Sequence, residues 1–544
     1  MSAHWQPGGR SALPHILARE WDMLIIGGGI TGAGILLEAA RRGLTALLVE
    51  QRDFAWGTSS RSSKLVHGGL RYLKEGKFGL TRESVREREA LLRAAPGLVE
   101  PQGFAFGRYQ GRKPGRRTFL LGLAVYDCLA GRRARHDYGR DEFLGLAPNV
   151  ATEGLCGGIC YTDAKTDDAR LVLRVLQEAQ AYGGVAVNYL SVRTLLRTGG
   201  IVRGAQLRDE TGNADYQVKA RVVVSATGAW ADALRAQGGK PARLRPLRGS
   251  HLILPAWRLP LAQAVSLMHP ADGRPVFAFP WEGVTLVGTT DVDHGADISF
   301  EAAITRPETD YLMAALRDQF PRLDLRESDV IATYAGVRPV IDSGRSDPSK
   351  EGREHALWLE DGLLTVTGGK LTTFRVIALD VLKQVAALLP GWRDSLLPQP
   401  ILAPSAPLPY RRDLPPGQGA RLQGRYGPRA AALVGAARDG ELDTIPGTAS
   451  IWAQLRWAAR HEAVQRLEDL LLRRLRIGLQ LRGGGIGILP RVRAICQPEL
   501  GWDDARWDAE QAAYLALWNS NYSLPARQEL AQMPVQVQRQ ARHG

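Results

Sequence analysis

The segment Gly27-Gly28-Gly29-Ile30-Thr31-Gly32 constrains the first part of this chain more than any other feature. It follows an apolar run at 22–26, the length of a buried parallel strand, and precedes a helical stretch at 35–42 that Gly43 is placed to end. A second apolar run, 44–49, stops at Glu50. Strand, glycine turn, helix, strand and acidic residue in this order form a βαβ unit of the kind that binds a dinucleotide. Gly27 permits the tight turn, Gly29 lets backbone approach a pyrophosphate, and Gly32 allows close helix–strand packing. The helix start offers N–H donors and a positive dipole end to phosphates. Glu50 is placed to accept hydrogen bonds from a ribose.

The fingerprint alone suits NAD and FAD equally. Its N-terminal position favours FAD, as does a second strand-end turn, Ala226-Thr227-Gly228, returning to the same domain. No other G-x-G-x-x-G follows a strand, which argues against a separate nicotinamide site. Electrons are then expected to enter from a substrate that reduces the flavin directly.

At 544 residues two or three domains are expected, and 44% hydrophobic with 23% charged residues is ordinary for a globular chain. Residues 1–20 lack the apolar core of a secretory signal and read as a disordered extension. Cys128, Cys156, Cys160 and Cys496 have no zinc-site spacing and read as small buried thiols. A net charge of +14 suits nucleic acid, anionic lipid or an anionic substrate. Between 107 and 140 there are nine Lys/Arg and two acidic residues around an apolar stretch, 119–130. That mixture suits an anionic membrane surface as well as a solvated loop, and the stretch is short of the roughly 20 residues needed to span a bilayer. Prolines at 390, 398, 400, 404, 407, 409, 415 and 416 mark a linker. Beyond it, Leu455, Ala459, Ala463, Leu467, Leu471 and Leu475 repeat every four residues, as on one helix face, and the tail after Pro525 is polar.

Five motifs in order resemble the FAD-dependent glycerol-3-phosphate dehydrogenase family: 25–34 around the glycine turn, the long Thr58-Ser59-Ser60-Arg61-Ser62-Ser63-Lys64-Leu65-Val66-His67-Gly68-Gly69-Leu70-Arg71-Tyr72-Leu73 stretch, Gly288-Thr289-Thr290-Asp291, Tyr334-Ala335-Gly336-Val337-Arg338-Pro339, and Gly368-Gly369-Lys370-Leu371-Thr372-Thr373. The resemblance runs from about residue 22 to 389 and continues more weakly through Arg460-His461-Glu462 and 470–474. It implies an α/β fold with a Rossmann-like FAD-binding domain, an antiparallel-sheet substrate domain of the glycine-oxidase and D-amino-acid-oxidase kind, and a C-terminal helical domain. The expected division is 21–75, 150–240 and 355–390 for FAD binding, 76–149 and 241–354 for substrate, 391–416 as linker, 417–525 as helical domain and 526–544 as tail.

The resemblance further implies oxidation of sn-glycerol 3-phosphate to dihydroxyacetone phosphate, a membrane quinone as acceptor, and peripheral association with the inner face of the cell membrane. A homodimer is compatible with it. Thr58, Ser59, Ser60, Ser63, Lys64 and Gly68 would line the flavin, with Gly369, Lys370, Leu371 and Thr372 on its pyrimidine side. A dianionic phosphate needs cations, so Arg338 and Lys370 come first and Arg71 third. His67 is the leading base for the C2 hydroxyl, with Arg338 as the alternative group holding the developing alkoxide. His251 reads more simply as an inward-facing strand residue. Oxygen as acceptor, or a related amine or 2-hydroxy-acid oxidoreductase, remains open at this level. No recognised nucleic-acid-binding module and no aromatic platform interrupts the basic stretches, which argues against a nucleic-acid partner.

Overall fold

The computed structural model describes residues 3–111, 115–131, 133–344, 352 and 354–526, without the side chains of Arg71 and Lys74. Two β-sheets carry the fold. In the first, the strand order is His355–Glu360, Leu363–Gly368, Asp215–Ser225, Glu20–Ile26, Ala46–Val49 and Val185–Val187. Along this order the neighbours are parallel except the outermost pair, His355–Glu360 with Leu363–Gly368, and the antiparallel hairpin Leu190–Thr198 and Ile201–Asp209 joins the sheet antiparallel to Asp215–Ser225. Met23 and Ile25 face helices Ile30–Ala40, Asp168–Ala181 and Phe374–Leu388, while Leu24 and Ile26 face the opposite layer. Both faces are therefore buried, which is why the strands read as continuous apolar runs.

That opposite layer corrects the expectation of a disordered N-terminus. Leu13 and Leu17 are buried in it with the Leu190–Thr198 and Ile201–Asp209 hairpin, and the Trp5 indole N–H donates to the Ala186 carbonyl at 2.8 Å. Each buried leucine contributes roughly 1.5–3 kcal/mol, enough to offset much of the ordering cost of so short a segment.

The second sheet runs antiparallel, apart from Val99–Tyr109 beside Ala264–Met268. Its period-2 alternation divides the residues between two faces. Leu252, Leu254, Val265, Leu267, Val276 and Val287 pack under helix Arg306–Gln319. Ile253, Phe104, Tyr161, Phe277, Phe279 and Leu286 look the other way, towards the C-terminal helices and helix Arg116–Ala130. Strand Leu155–Thr166 belongs to this sheet, so the boundary expected at 150 lies beyond Thr166.

The proline-marked segment forms no helix or strand between 391 and 416, yet it does not hang free. Ile401 and Leu402 enter the core of the first domain, and Arg41 and Arg375 donate to the carbonyls of Pro400 and Gln399. Beyond it, all six residues of the four-residue repeat are buried, but not on one helix. Helix Ala453–His461 ends, Ala463 takes φ 52°, and Asp469–Arg474 form a π-helical turn. The break coincides with a cluster of buried charges. Arg473 and Arg474 both reach Asp53 of the first domain, while Glu462 takes a bidentate pair from Arg170. Cys160 and Cys496 are buried as expected, whereas Cys128 and Cys156 are exposed.

Candidate active site

Four segments meet at the carboxyl end of the parallel strands. Gly27, at φ 115°, lies under the Ala226 carbonyl, which a Cβ there would approach to 2.5 Å. A Cβ on Gly32 would meet the Gly27 carbonyl at 1.9 Å, so only glycine lets this helix sit so close to its strand. The Ser59 hydroxyl accepts from the Ile30 N–H at 3.0 Å, placing the 58–60 turn at the helix start and beside Gly29. Thr367 donates to the Gly228 carbonyl at 3.1 Å, which ties the Ala226-Thr227-Gly228 turn to the strand that ends at Gly368. Gly368 and Gly369, both near φ 77°, turn that strand into a single 3-10 turn, Leu371–Thr373, and the α-helix proper begins at Phe374. Helix donors at Leu371 and Thr372 thus come from the short turn. This glycine-lined floor, with an acidic residue at the end of the second strand, fits the adenine-dinucleotide half of FAD.

Glu50 sits where that reading needs it. Its carboxylate accepts from the N–H groups of Gly28 at 2.7 Å and Arg52 at 2.9 Å. Burial pushes the carboxyl up, with those donors opposing it. If Glu50 holds the ribose hydroxyls, Glu50→Ala costs about 1.5–3 kcal/mol of FAD binding, the range for hydrogen bonds to a charged group. The variant is expected to purify partly as apoprotein and to regain activity with added FAD; unchanged flavin occupancy and affinity would remove this role.

Residues 58–72 form the wall between the two sheets. Thr58 donates to the Val337 carbonyl and Tyr334 donates to that of Ser62 at 2.8 Å, so the strand carrying Arg338 is stitched to this wall. Ser60 is buried, and its carbonyl accepts from Lys64 at 2.9 Å and Arg476 at 2.7 Å. Lys64 differs from expectation. Its ammonium is fully buried on Asp168, at 3.0 Å, and burial together with Arg476 pushes it down to about 8. Its side chain lies beneath the wall, and its backbone takes a left-handed φ of 56°.

Arg338 lies flat over Gly249, where a Cβ would come within 2.2 Å of the guanidinium. Asp291 at 2.8 Å and the Thr289 hydroxyl at 3.1 Å fix its fork. His251, two residues further along the strand from Gly249, stacks on Tyr334 at 4.5 Å and lies 3.0 Å from the Ser63 hydroxyl. Burial, then Arg338 and Lys64, hold this imidazole well below the usual histidine range, so it is neutral. The register carries the row onward: His251 opposes Gly288, and Gly288 opposes Phe277, whose ring is 6.2 Å from that of His67. His251 is an inward-facing strand residue, as the sequence suggested, and its ring contacts Ser63 of the wall.

On the other flank, the Lys370 ammonium donates to the Ser84 hydroxyl at 3.0 Å and sits 4.0 Å over the Tyr72 ring. A Cβ on Gly69 would lie 3.5 Å from it, so the cation stands beside the His67-Gly68-Gly69 turn. His67 itself is 37% exposed at the side chain, with Nδ1 3.3 Å from Asp163. The Arg71 side chain lies outside the described residues. Sequence reasoning missed Ser84, Arg88, Tyr126 and Asp163. Thr81, Ser84 and Arg88 share one buried face of helix Phe78–Ala94, a spacing visible in the sequence but indistinguishable there from a solvated polar stripe.

This floor and wall define a flavin-dependent oxidoreductase, and comparison with known proteins agrees. Residues 22–375 match the family described as FAD dependent oxidoreductase, and residues 397–507 match the C-terminal domain of alpha-glycerophosphate oxidase. The chain belongs to the FAD-dependent oxidoreductase family, and its cofactor is FAD. It is 40% identical over 372 residues to the aerobic glycerol-3-phosphate dehydrogenase of Staphylococcus saprophyticus, covering 67% of this chain and 66% of that protein. The enzyme of the same name from Staphylococcus aureus is 39% identical over 379 residues, covering 68% of each. The match thus spans about two thirds of these relatives. Among solved structures, glycerol-3-phosphate dehydrogenase from Bacillus halodurans complexed with FAD superposes with a TM-score of 0.74 at 26% identity, covering 94% of this chain and 98% of that one. The L-alpha-glycerophosphate oxidase of Mycoplasma pneumoniae shares the fold at a TM-score of 0.54 and 18% identity, covering 69% and 97%.

Proposed function

We propose that the protein oxidises sn-glycerol 3-phosphate to dihydroxyacetone phosphate and passes the electrons to a quinone-type acceptor. The observation that carries this reading is the placement of two cations, Arg338 and Lys370, and one imidazole, His67, around the same 58–72 wall above a dinucleotide floor. FAD supplies the acceptor for the hydride that leaves C2. Arg338 and Lys370 hold the dianionic phosphate, Arg338 through a fork preset by Asp291 and Lys370 as a compact charge. His67 takes the C2 hydroxyl proton, and the buried, neutral His251 lines the pocket next to Arg338. The decisive experiment is the visible spectrum of purified protein before and after anaerobic addition of glycerol 3-phosphate. Bleaching of the flavin band is expected; an unchanged band would reject the substrate. The match of 397–507 to an oxidase's C-terminal domain favours one second reading, oxygen as acceptor, which stoichiometric peroxide per turnover would establish.

The quinone reading is joined by a proposal of peripheral attachment to the inner face of the cell membrane. Among the described residues, no helix is long and apolar enough to cross a membrane. Helix Arg116–Ala130 instead buries Leu123 and Tyr126 and turns Leu121, 68% exposed, outward beside exposed Arg116 and Arg117. Phe78, 56% exposed, begins the helix packed against it. Each Lys/Arg at an anionic surface contributes on the order of 1 kcal/mol, screened by salt. Sedimentation with anionic but not neutral vesicles is expected, partly reversed by salt. Equal recovery in the supernatant with both vesicle types would exclude it.

A further inference from the structure

His67 does not stand alone. The Asp163 carboxylate behind it is buried at the inner end of strand Leu155–Thr166 and is surrounded by donors. Its Oδ1 accepts from the Gly68 N–H at 2.9 Å, from the Tyr126 hydroxyl at 2.7 Å and from the Arg88 guanidinium. Its Oδ2 faces Nδ1 of His67 at 3.3 Å. Burial alone would raise this carboxyl, but the bond to His67, the Arg88 charge and the Tyr126 hydroxyl hold it down at about 2.

We infer that Asp163 is a positioning residue for His67: three donors saturate one carboxylate oxygen, and the other fixes the tautomer and plane of the imidazole. An ionised carboxylate only accepts, so the ring nitrogen facing it carries the proton, and the lone pair is left on Nε2, on the far side of the ring. That is the tautomer a base for the C2 hydroxyl requires. The Gly68 N–H on the same carboxylate holds the backbone of the turn, so ring and turn are positioned by one anion. A side chain at Gly68 would collide with the Tyr126 hydroxyl at 2.0 Å, which is why this arrangement needs glycine there. Three separate elements supply the anchors: Arg88 from helix Phe78–Ala94, Tyr126 from helix Arg116–Ala130 and Asp163 from the sheet. The inference rests on His67 being the base.

Stopped-flow flavin reduction in the full-length holoprotein tests it. Asp163→Asn, whose amide can donate as well as accept, no longer dictates the tautomer. It is expected to lower the limiting rate of flavin reduction by about 10²-fold or more. Flavin content and the glycerol 3-phosphate concentration at half-saturation should stay near wild type, a split that general disruption would not give. In the His67→Asn background the same substitution should cost nothing further. Should Asp163→Asn fold poorly, Tyr126→Phe removes one anchor and leaves the Arg88 pair; a smaller fall is expected, again absent in the His67→Asn background. A fall that persists undiminished in that background, or full rates in both variants, overturns the inference while His67 keeps its role. Wild-type reduction in His67→Asn itself removes the base from His67 and the inference with it.

Discussion

Arg338→Ala or Lys370→Ala is expected to lower kcat/KM for glycerol 3-phosphate by roughly 30- to 5,000-fold. The range follows from the about 2–5 kcal/mol lost when one partner of a desolvated charge pair is removed. Arg338 has its fork preset by Asp291 and Thr289, so its loss also leaves Asp291 without that guanidinium at 2.8 Å. Asp291→Asn therefore separates the two contributions: a small effect there would assign the Arg338 loss to substrate. Lys370 is held less rigidly, by Ser84 and the Tyr72 ring, and can follow the phosphate as it enters. Flavin content should stay near normal in both variants. Activity on unphosphorylated glycerol should change much less. If both substrates lose activity by the same factor, the residue acts on the C2 oxygen or the flavin. If neither does, the phosphate pocket lies elsewhere.

His67→Asn is the second large effect expected, a slowing of flavin reduction by about 10²–10⁴-fold with far less change in substrate affinity. A retained rate of flavin reduction would transfer the role, most directly to Arg338 as holder of the alkoxide.

The dinucleotide floor was legible from the residues because its determinants are local. Gly27, Gly29, Gly32 and Glu50 lie within one βαβ unit, and the Gly32–Gly27 and Glu50–Gly28 contacts fall inside it. The wall was legible only as a motif. Nothing in Ser-Ser-Lys distinguishes Ser63, which reaches His251, from Lys64, which turns away beneath the wall onto Asp168. Asp163 was not legible at all, since its four partners come from residues 67, 68, 88 and 126 and only tertiary packing gathers them. The Leu455–Leu475 repeat misled for a related reason. Period-four burial is real there, but the helix that would ordinarily produce it ends at His461, and Arg473 and Arg474 beyond the break both reach Asp53.

Those arginines have a consequence for how this protein can be divided. Arg473 and Arg474 neutralise Asp53, Arg476 shares Asp168 with Lys64, and Glu462 neutralises Arg170. Every one of these ions is buried, and each pair joins the C-terminal helices to the dinucleotide domain. Breaking one buried pair costs about 3–5 kcal/mol, and losing several at once exceeds the whole stability of an ordinary domain. A chain cut before residue 397 would leave Asp53 and Arg170 without the ion partners they have here. The boundary that looks like a hinge in the sequence is thus tied across by buried charge: the helical portion supplies counterions to the dinucleotide portion.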